Sequence, residues 1–276
     1  LTKYYPITAQ RSRPFLKWAG GKYRLVDRLA PHLHGRKLIE PFVGSGAVFL
    51  NFDFDKYLLG DINPDLVNLY QCLQKEKGKF VKYANSFFSE ENNKQQAYNK
   101  LRTEFNSGVK GRRRAAIFVY LNRHGFNGLC RYNKSHEFNV PFGKYVKPYF
   151  PEKEMIHFIS HAKHAKFVCA DFVSVMNRAR RGDVVYCDPP YVPLSPTASF
   201  TSYASQGFSY DQQIELAYRA KKLAARGVKV IISNHDTSMT REIYEDALIE
   251  SFPVRRFISC DGSKRDHANE LFAIYG

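Results

Sequence analysis

An α/β fold on a mostly parallel sheet, interrupted by a smaller, mainly helical insertion, is what this sequence predicts, and three observations carry the prediction. AKFVCAD (165–171), DVVYCD (183–188) and VKVIISN (228–234) are apolar at consecutive positions, as strands buried on both faces are. KLIE (37–40) and KYLLGD (56–61) read as two earlier strands, and helical stretches over 65–74 and 211–225 alternate with the set. Between residues 77 and 149 the alternation stops, giving way to helical periodicity, the run Arg112-Arg113-Arg114 and a segment rich in Gly, Asn and aromatics. That stretch reads as the insertion.

In chain order, a polar arm over 1–13 without an apolar signal core comes first, followed by FLKWAGGKYRLVDRLAP and then KLIE. KLIE leads into PFVGSGAVFL, which predicts a glycine-rich turn and a following helix. KYLLGD ends in a carboxylate, and Asn63-Pro64 opens the next helix with proline in its first turn. Beyond the insertion, VPLSPTASFTSYASQGFS is a long polar loop of the kind that serves as a lid or substrate clamp. The tail over 252–275 is expected to supply a closing antiparallel pair. No internal repeat or low-complexity tract is present.

The 276 residues, 44% hydrophobic, can bury a sizeable core, so one principal domain with an insertion is expected rather than several domains. Forty-two basic against 26 acidic side chains give a net charge of +16. This favours a polyanionic partner, nucleic acid ahead of an anionic membrane, although a basic surface also serves solubility alone. The five cysteines are odd in number and contain no CxxC pair, which argues against a disulfide framework and a zinc site and fits a reducing cytoplasm. No stretch is long and apolar enough for a membrane span. Neither a metal nor an obligate protein partner is expected.

Phe42-Val43-Gly44-Ser45-Gly46 follows a strand, and Asp61 closes the next strand fifteen positions after Gly46. Glycines let a backbone approach a ligand, and a carboxylate after the second strand accepts hydrogen bonds from ribose hydroxyls; the alternative is a tight turn with no ligand. A dinucleotide is disfavoured because Phe49 stands where the third glycine belongs. A phosphate-binding P-loop fails at Gly20-Gly21-Lys22, which lacks the upstream glycine and is followed by Tyr23. S-adenosylmethionine needs an apolar slot, a ribose acceptor and a cation for its carboxylate, roles open to Phe42, Asp61 and Lys22.

Asp188-Pro189-Pro190-Tyr191 sits where DVVYC ends, the edge of an open α/β sheet at which ligands bind. An exocyclic amine on a base is a poor nucleophile, because its lone pair is delocalised into the ring. The Asp188 carboxylate and the Pro189 carbonyl can each accept one of its N–H groups, Tyr191 can stack on the base, and the prolines stiffen the geometry. The base must leave the duplex stack, and an aromatic pocket of Tyr191 with Phe200 or Phe208 suits a flipped base. The other reading is a turn in which Pro-Pro ends the strand and Tyr191 packs. Cys187, a conceivable thiolate nucleophile, has no basic neighbour in sequence and reads as packing.

Taken together, FLKWAGGK (15–22), EPFVGSGAVFLN (40–51), YLNRHGFNGLCRYN (120–133), FNVPFG (138–143) and CDPPY (187–191) resemble the Dam-type DNA adenine-N6 methyltransferases, in the order of the alpha group. The resemblance runs over about residues 15–275. It implies a Rossmann-like S-adenosylmethionine-dependent methyltransferase core over 1–76 and 164–276. It further implies a target-recognition domain with a β-hairpin over 77–163. Trp18, Lys22, Phe42, Gly44, Gly46, Asp61 and Asp188 would line the cofactor site, with Asp171 facing its adenine. The target implied is GATC in duplex DNA, with Lys17 near the first guanine and Arg131 bidentate to the guanine of the last base pair. Asn127 would fill space near the extruded adenine, Leu129 and Pro141 would touch a thymine methyl, and Arg123, Lys144 and Tyr145 would contact backbone or flank.

Two positions depart from the family's pattern. Phe126 stands where a wedge tyrosine is frequent, and Lys144 where a close relative carries arginine, which implies weaker flank selection and not a new target. For Phe126, Leu129 and Tyr145 the competing reading is the insertion's own small core. An N4-cytosine or RNA N6-adenine methyltransferase uses the same turn and tetrapeptide and stays open, as does a DNA-binding module with a degenerate cofactor site. An oxidoreductase ranks last.

Overall fold

The computed structural model describes residues 8, 11–192, 208–254 and 268–276. Its strands are β1 (Lys37–Glu40), β2 (Lys56–Asp61), β3 (Ala165–Cys169), β4 (Val184–Cys187), β5 (Lys229–His235), β6 (Leu248–Val254) and β7 (Ala268–Tyr275). They make one seven-stranded sheet in the order β3-β2-β1-β4-β5-β7-β6. Strands β1 to β5 run parallel, and β7 is antiparallel to both β5 and β6. The closing pair expected of the tail is therefore there, but its first strand begins at Leu248, ahead of the expected 252.

Alternation along the central strands sorts side chains between two helical layers. Leu38, Leu59, Val184, Tyr186 and Ile231 point to one layer, shared with α2 (Pro64–Glu76), α3 (Gly78–Asn85), α4 (Gln95–Asn106), α5 (Gly111–His124) and α6 (Glu152–His161). Ile39, Leu58, Val185, Cys187 and Ile232 point to the other, formed by α7 (Phe172–Met176), α8 (Tyr210–Ala224) and the region after α9 (Ser238–Ile243). A short α1 (Val26–Leu29) precedes β1. The Asn63 side chain accepts from the N–H groups of Asp65 and Leu66, and Pro64 lacks the N–H that a first turn cannot satisfy, so α2 starts where the Asn-Pro pair predicts.

Residues 77–163 contribute helices and no sheet strand, yet their core is continuous with that of the sheet: Phe80, Tyr98, Phe118 and Phe138 belong to one cluster with Leu38 and Tyr186. Asp65 at the start of α2 ties the two parts, pairing with the Arg114 guanidinium through both oxygens and accepting from Tyr132 Oη at 2.7 Å. In place of a regular hairpin, two isolated antiparallel bridges, Gly125 with Phe142 and Tyr132 with Phe138, close the loop between α5 and α6.

Two local expectations are corrected. The helix expected after the glycine turn shrinks to a 3-10 turn over Phe49–Asn51, because the buried Asn51 amide donates to the carbonyls of Ala47 and Ser12 and ends it. Strand β3 lies at the sheet edge with Lys166 and Cys169 exposed, so it is not buried on both faces. In the insertion's arginine run each side chain is paired: Arg112 with Glu76, Arg113 with Glu104 and Arg114 with Asp65. Phe200 and nearly all of the polar loop expected as a lid lie outside the described residues.

Candidate active site and nucleic-acid interface

Strand β1 sits between β2 and β4, so the strand order reverses there, and the crevice beyond the carboxyl ends at such a reversal is where open α/β sheets hold ligands. The turn after β1, Asp61 at the end of β2 and Asp188 after β4 all arrive at it. Gly44 has φ +47°; its N–H donates to Asp61 Oδ2 at 3.0 Å and its carbonyl accepts from Tyr70 Oη at 2.6 Å. A Cβ on Gly44 would lie 3.0 Å from Trp18 Nε1, so both the left-handed backbone and the indole's approach require glycine. Asp61 Oδ1 accepts from the Asn63 N–H at 2.9 Å, and burial nevertheless holds the carboxyl above its ordinary pKa. Next to it Ile62 is 72% exposed, an apolar surface beside the Asp61 carboxylate that no sequence pattern singled out.

Beyond β4, Lys22 Nζ lies 2.9 Å from Asp188 Oδ1, donates to the Gly20 carbonyl at 2.7 Å and sits 4.4 Å from the Tyr191 ring centroid. Ser233 Oγ donates to the same Asp188 oxygen at 2.8 Å. Both contacts fall on Oδ1, so among the described residues Oδ2 has no donor, and none donates to the Pro189 carbonyl. Tyr191 Oη donates to Glu270 Oε2 at 3.1 Å, the His235 ring meets the Tyr191 ring edge-on, and burial pushes the phenol's pKa well up. Cys187 is fully buried, and burial beside Asp188 raises its thiol well above the reactive range. Glu40, one residue before the turn, is buried with Oε1 unpartnered among the described residues, and burial holds it well above the usual carboxylate range.

The remaining cofactor candidates stand nearby with different duties. Phe42 stacks on Phe172 at 5.6 Å, and Phe208 meets both rings, so Phe208 joins this cluster and is not shown against Tyr191. Asp171 caps α7 by accepting from Ser174 N and Oγ, bonds that lower its pKa. Gly46 has φ +75° and its N–H closes the turn onto the Val43 carbonyl.

A second constellation joins the N-terminal segment to the loop after α5. Buried Asn122 accepts from Lys17 N at 2.9 Å and donates to the carbonyls of Lys17 at 2.8 Å and Gly128 at 3.1 Å. The Lys17 ammonium is 4.2 Å from the Tyr145 ring centroid, and Tyr145 Oη accepts from the Asn127 N–H at 2.9 Å. Phe126 is 49% exposed and its N–H donates to the Pro141 carbonyl, while Asn127 has φ +53°. Arg131 is exposed, with Nε on Asn139 Oδ1 at 2.8 Å; Pro141 and Lys144 are also exposed, and Leu129 packs partly into the core. Arg123 does not join this face: it is buried, with Nε unpartnered among the described residues and its guanidinium by the Tyr149 ring. Among the described residues no group of three or more His, Cys, Asp or Glu side chains converges as metal ligands do, and no helix is long and apolar enough to cross a membrane.

A sheet in this order, with a glycine turn after β1, a carboxylate closing β2 and Asp-Pro-Pro-Tyr after β4, defines a Rossmann-like methyltransferase core. Residues 18–256 match the family described as D12 class N6 adenine-specific DNA methyltransferase. The chain belongs to that family. It is 50% identical over 268 residues to a DNA adenine methylase of Vibrio cholerae, covering 96% of this chain and 97% of that one. It is 50% identical over 267 residues to a DNA adenine methylase of Escherichia coli (strain K12), at 96% of each. A precorrin-8w decarboxylase structure from Methanobacterium thermoautotrophicum aligns with a TM-score of 0.36 at 10% identity, covering 98% of each chain.

Proposed function

We propose that this chain transfers the methyl group of S-adenosylmethionine to N6 of an adenine flipped out of duplex GATC. The observation that carries the reading is the pair of acceptors at the end of β4: among the described residues Asp188 Oδ2 and the Pro189 carbonyl are both without donors, while Oδ1 is held by Lys22 and Ser233. Each accepts one N6–H, which draws the nitrogen lone pair out of ring conjugation and aims it for attack, an orientation effect that carries several kcal/mol of barrier. Tyr191 offers its ring to the base, and the carboxylate is kept in place by Lys22 and Ser233 so that little rearrangement accompanies the step.

The residues of the crevice fit S-adenosylmethionine. Asp61 accepts from ribose hydroxyls, Ile62 and Phe42 supply apolar walls, and Asp171 stands at the adenine end. Lys22 spends two of its three N–H groups on Gly20 and Asp188, leaving one for a carboxylate. When bound, the cofactor supplies an electrophilic methyl on a sulfonium.

Target reading is assigned to Lys17 and Arg131 on guanine edges, Phe126 as the wedge, Asn127 at the vacated position, and Leu129 and Pro141 on thymine methyls. Lys144 and Tyr145 face the flank. Arg123, buried as it is, supports the loop more readily than it reaches phosphate. We retain 77–163 as the recognition unit and 1–76 with 164–276 as the core. The four described cysteines are free thiols, which fits a cytoplasmic enzyme.

The test is transfer of labelled methyl to a GATC duplex and to one with those four bases scrambled, followed by nucleoside analysis, with Asp188→Ala as control. N6-methyladenine in the GATC duplex alone is expected. Label in both duplexes overturns the recognition assignments, and N4-methylcytosine overturns the choice of base.

A further inference from the structure

We propose that Gln213, Asn234 and Tyr244 are positioning residues for methyl transfer: a buried triad that clamps the two peptide groups flanking Tyr191. This rests on the reading that Asp188 to Tyr191 hold the target base. The need for a clamp follows from the tetrapeptide itself, because Pro189 and Pro190 carry no N–H and cannot be tied down by backbone donors of their own. Two side chains supply what the backbone lacks. Gln213 Nε2, from α8, donates to the Pro190 carbonyl at 2.9 Å, and Asn234 Oδ1, from β5, accepts from the Val192 N–H at 3.1 Å. These are the peptide groups immediately before and after Tyr191, so its backbone torsions are held from both sides.

The clamp is itself locked. Tyr244 Oη donates to Gln213 Oε1 at 3.0 Å and accepts from Asn234 Nδ2 at 3.0 Å, and Asn234 Nδ2 also approaches Gln213 Oε1 at 3.2 Å. With two donors on Oε1, the Gln213 amide is oriented with Nε2 toward Pro190. Exposures are 1% for Gln213 and 0% for both Asn234 and Tyr244, so the triad touches neither DNA nor cofactor. Burying three polar side chains is costly unless all are paired, and apolar groups of similar shape would fill the space at less cost. What the pairing achieves is a distinction between two proline carbonyls: Pro190's accepts from Gln213, and Pro189's, which has no donor among the described residues, is left for the base.

The experiment uses the full chain with S-adenosylmethionine and a GATC duplex, comparing the parent with Gln213→Met, Tyr244→Phe and Asp188→Ala. Single-turnover methylation rates, equilibrium affinities for cofactor and duplex, and thermal unfolding are measured for each. Gln213→Met is expected to slow the single-turnover step roughly 10- to 100-fold, and Tyr244→Phe by a smaller factor, with both affinities within about threefold of the parent. A merely structural role would lower unfolding temperature and affinities along with the rate. If Gln213→Met does not fold, Tyr244→Phe, which keeps the ring, decides. Parental rates in folded variants, or rate and affinity falling together, overturn the proposal. Asp188→Ala separates the layers: if it still methylates, the reading of the tetrapeptide fails, and if it is inactive while the triad variants are normal, only the clamp fails.

Discussion

Gly128→Ala tests whether the N-terminal segment and the loop after α5 build one recognition surface. Gly128 has φ +65°, and a Cβ there would overlap both Cβ and Cδ of Lys17 and lie 2.9 Å from its Cγ. Neither backbone can move aside cheaply, because Asn122 bonds the N–H and carbonyl of Lys17 and the carbonyl of Gly128 together. The left-handed conformation costs alanine about 1–2 kcal/mol. Relieving the overlap costs about 1–3 kcal/mol more, so a loss of about 2–5 kcal/mol is expected in urea unfolding. The Lys17 stem must also swing off the Tyr145 ring, and discrimination at the first guanine of GATC is expected to drop by about 1–3 kcal/mol, with discrimination at the other base pairs unchanged. Lys17→Ala should reproduce the loss of discrimination without the loss of stability. The reasoning is refuted if Gly128→Ala unfolds within about 0.5 kcal/mol of the parent, or if it discriminates against a first-position change as well as the parent does.

Asp61→Asn should separate stability from cofactor binding. Burial raises the Asp61 pKa, so its charge costs stability as pH rises through the folded value; removing the charge offsets the loss of one of two N–H acceptors, about 1 kcal/mol. Stability at pH 8 is expected near the parent's while S-adenosylmethionine affinity in calorimetry falls at least about tenfold, and unchanged affinity would remove Asp61 from the ribose. His124, stacked on Tyr120 and buried, has its pKa lowered from 6.5 to about 4 by burial. The unfolded chain then binds the proton first, so the contribution is intact above about pH 6.5 and lost as pH falls toward 4, at most about 3 kcal/mol in all. His124→Phe should flatten that part of the profile in urea midpoints at pH 7 and pH 5, and a variant as acid-sensitive as the parent argues against it.

Much of the site was readable because its parts are contiguous. A strand leading into Gly-x-Gly, a strand ending in Asp61 and a strand ending in Asp-Pro-Pro-Tyr are each written within a few residues, and strand order then brings their ends to one crevice. Ser233 and Asn234 were visible only as polar residues closing an apolar strand, a signal that names no partner. Gln213 and Tyr244 lie 31 residues apart and carry no local mark, since each is one polar residue in an otherwise ordinary helix or turn. The arginine run was legible only as composition: the sequence records three cations, and only the packing of α5 against α2 and α4 supplies Glu76, Asp65 and Glu104 to neutralise them.

By itself the sequence determined the mostly parallel sheet, the helix start at Asn63-Pro64, the glycine turn and the Asp-Pro-Pro-Tyr tetrapeptide at a strand end, because hydrophobic periodicity, proline's missing N–H and glycine's φ range act within a few residues. The tertiary structure alone decided that β3 is an edge, that Arg123 is buried, that Lys17 and Asn122 meet across 105 residues of chain, and which carbonyl of the Pro-Pro pair accepts from Gln213. Those outcomes depend on which elements pack together, and a pattern local in the chain shows periodicity without showing what each residue packs against.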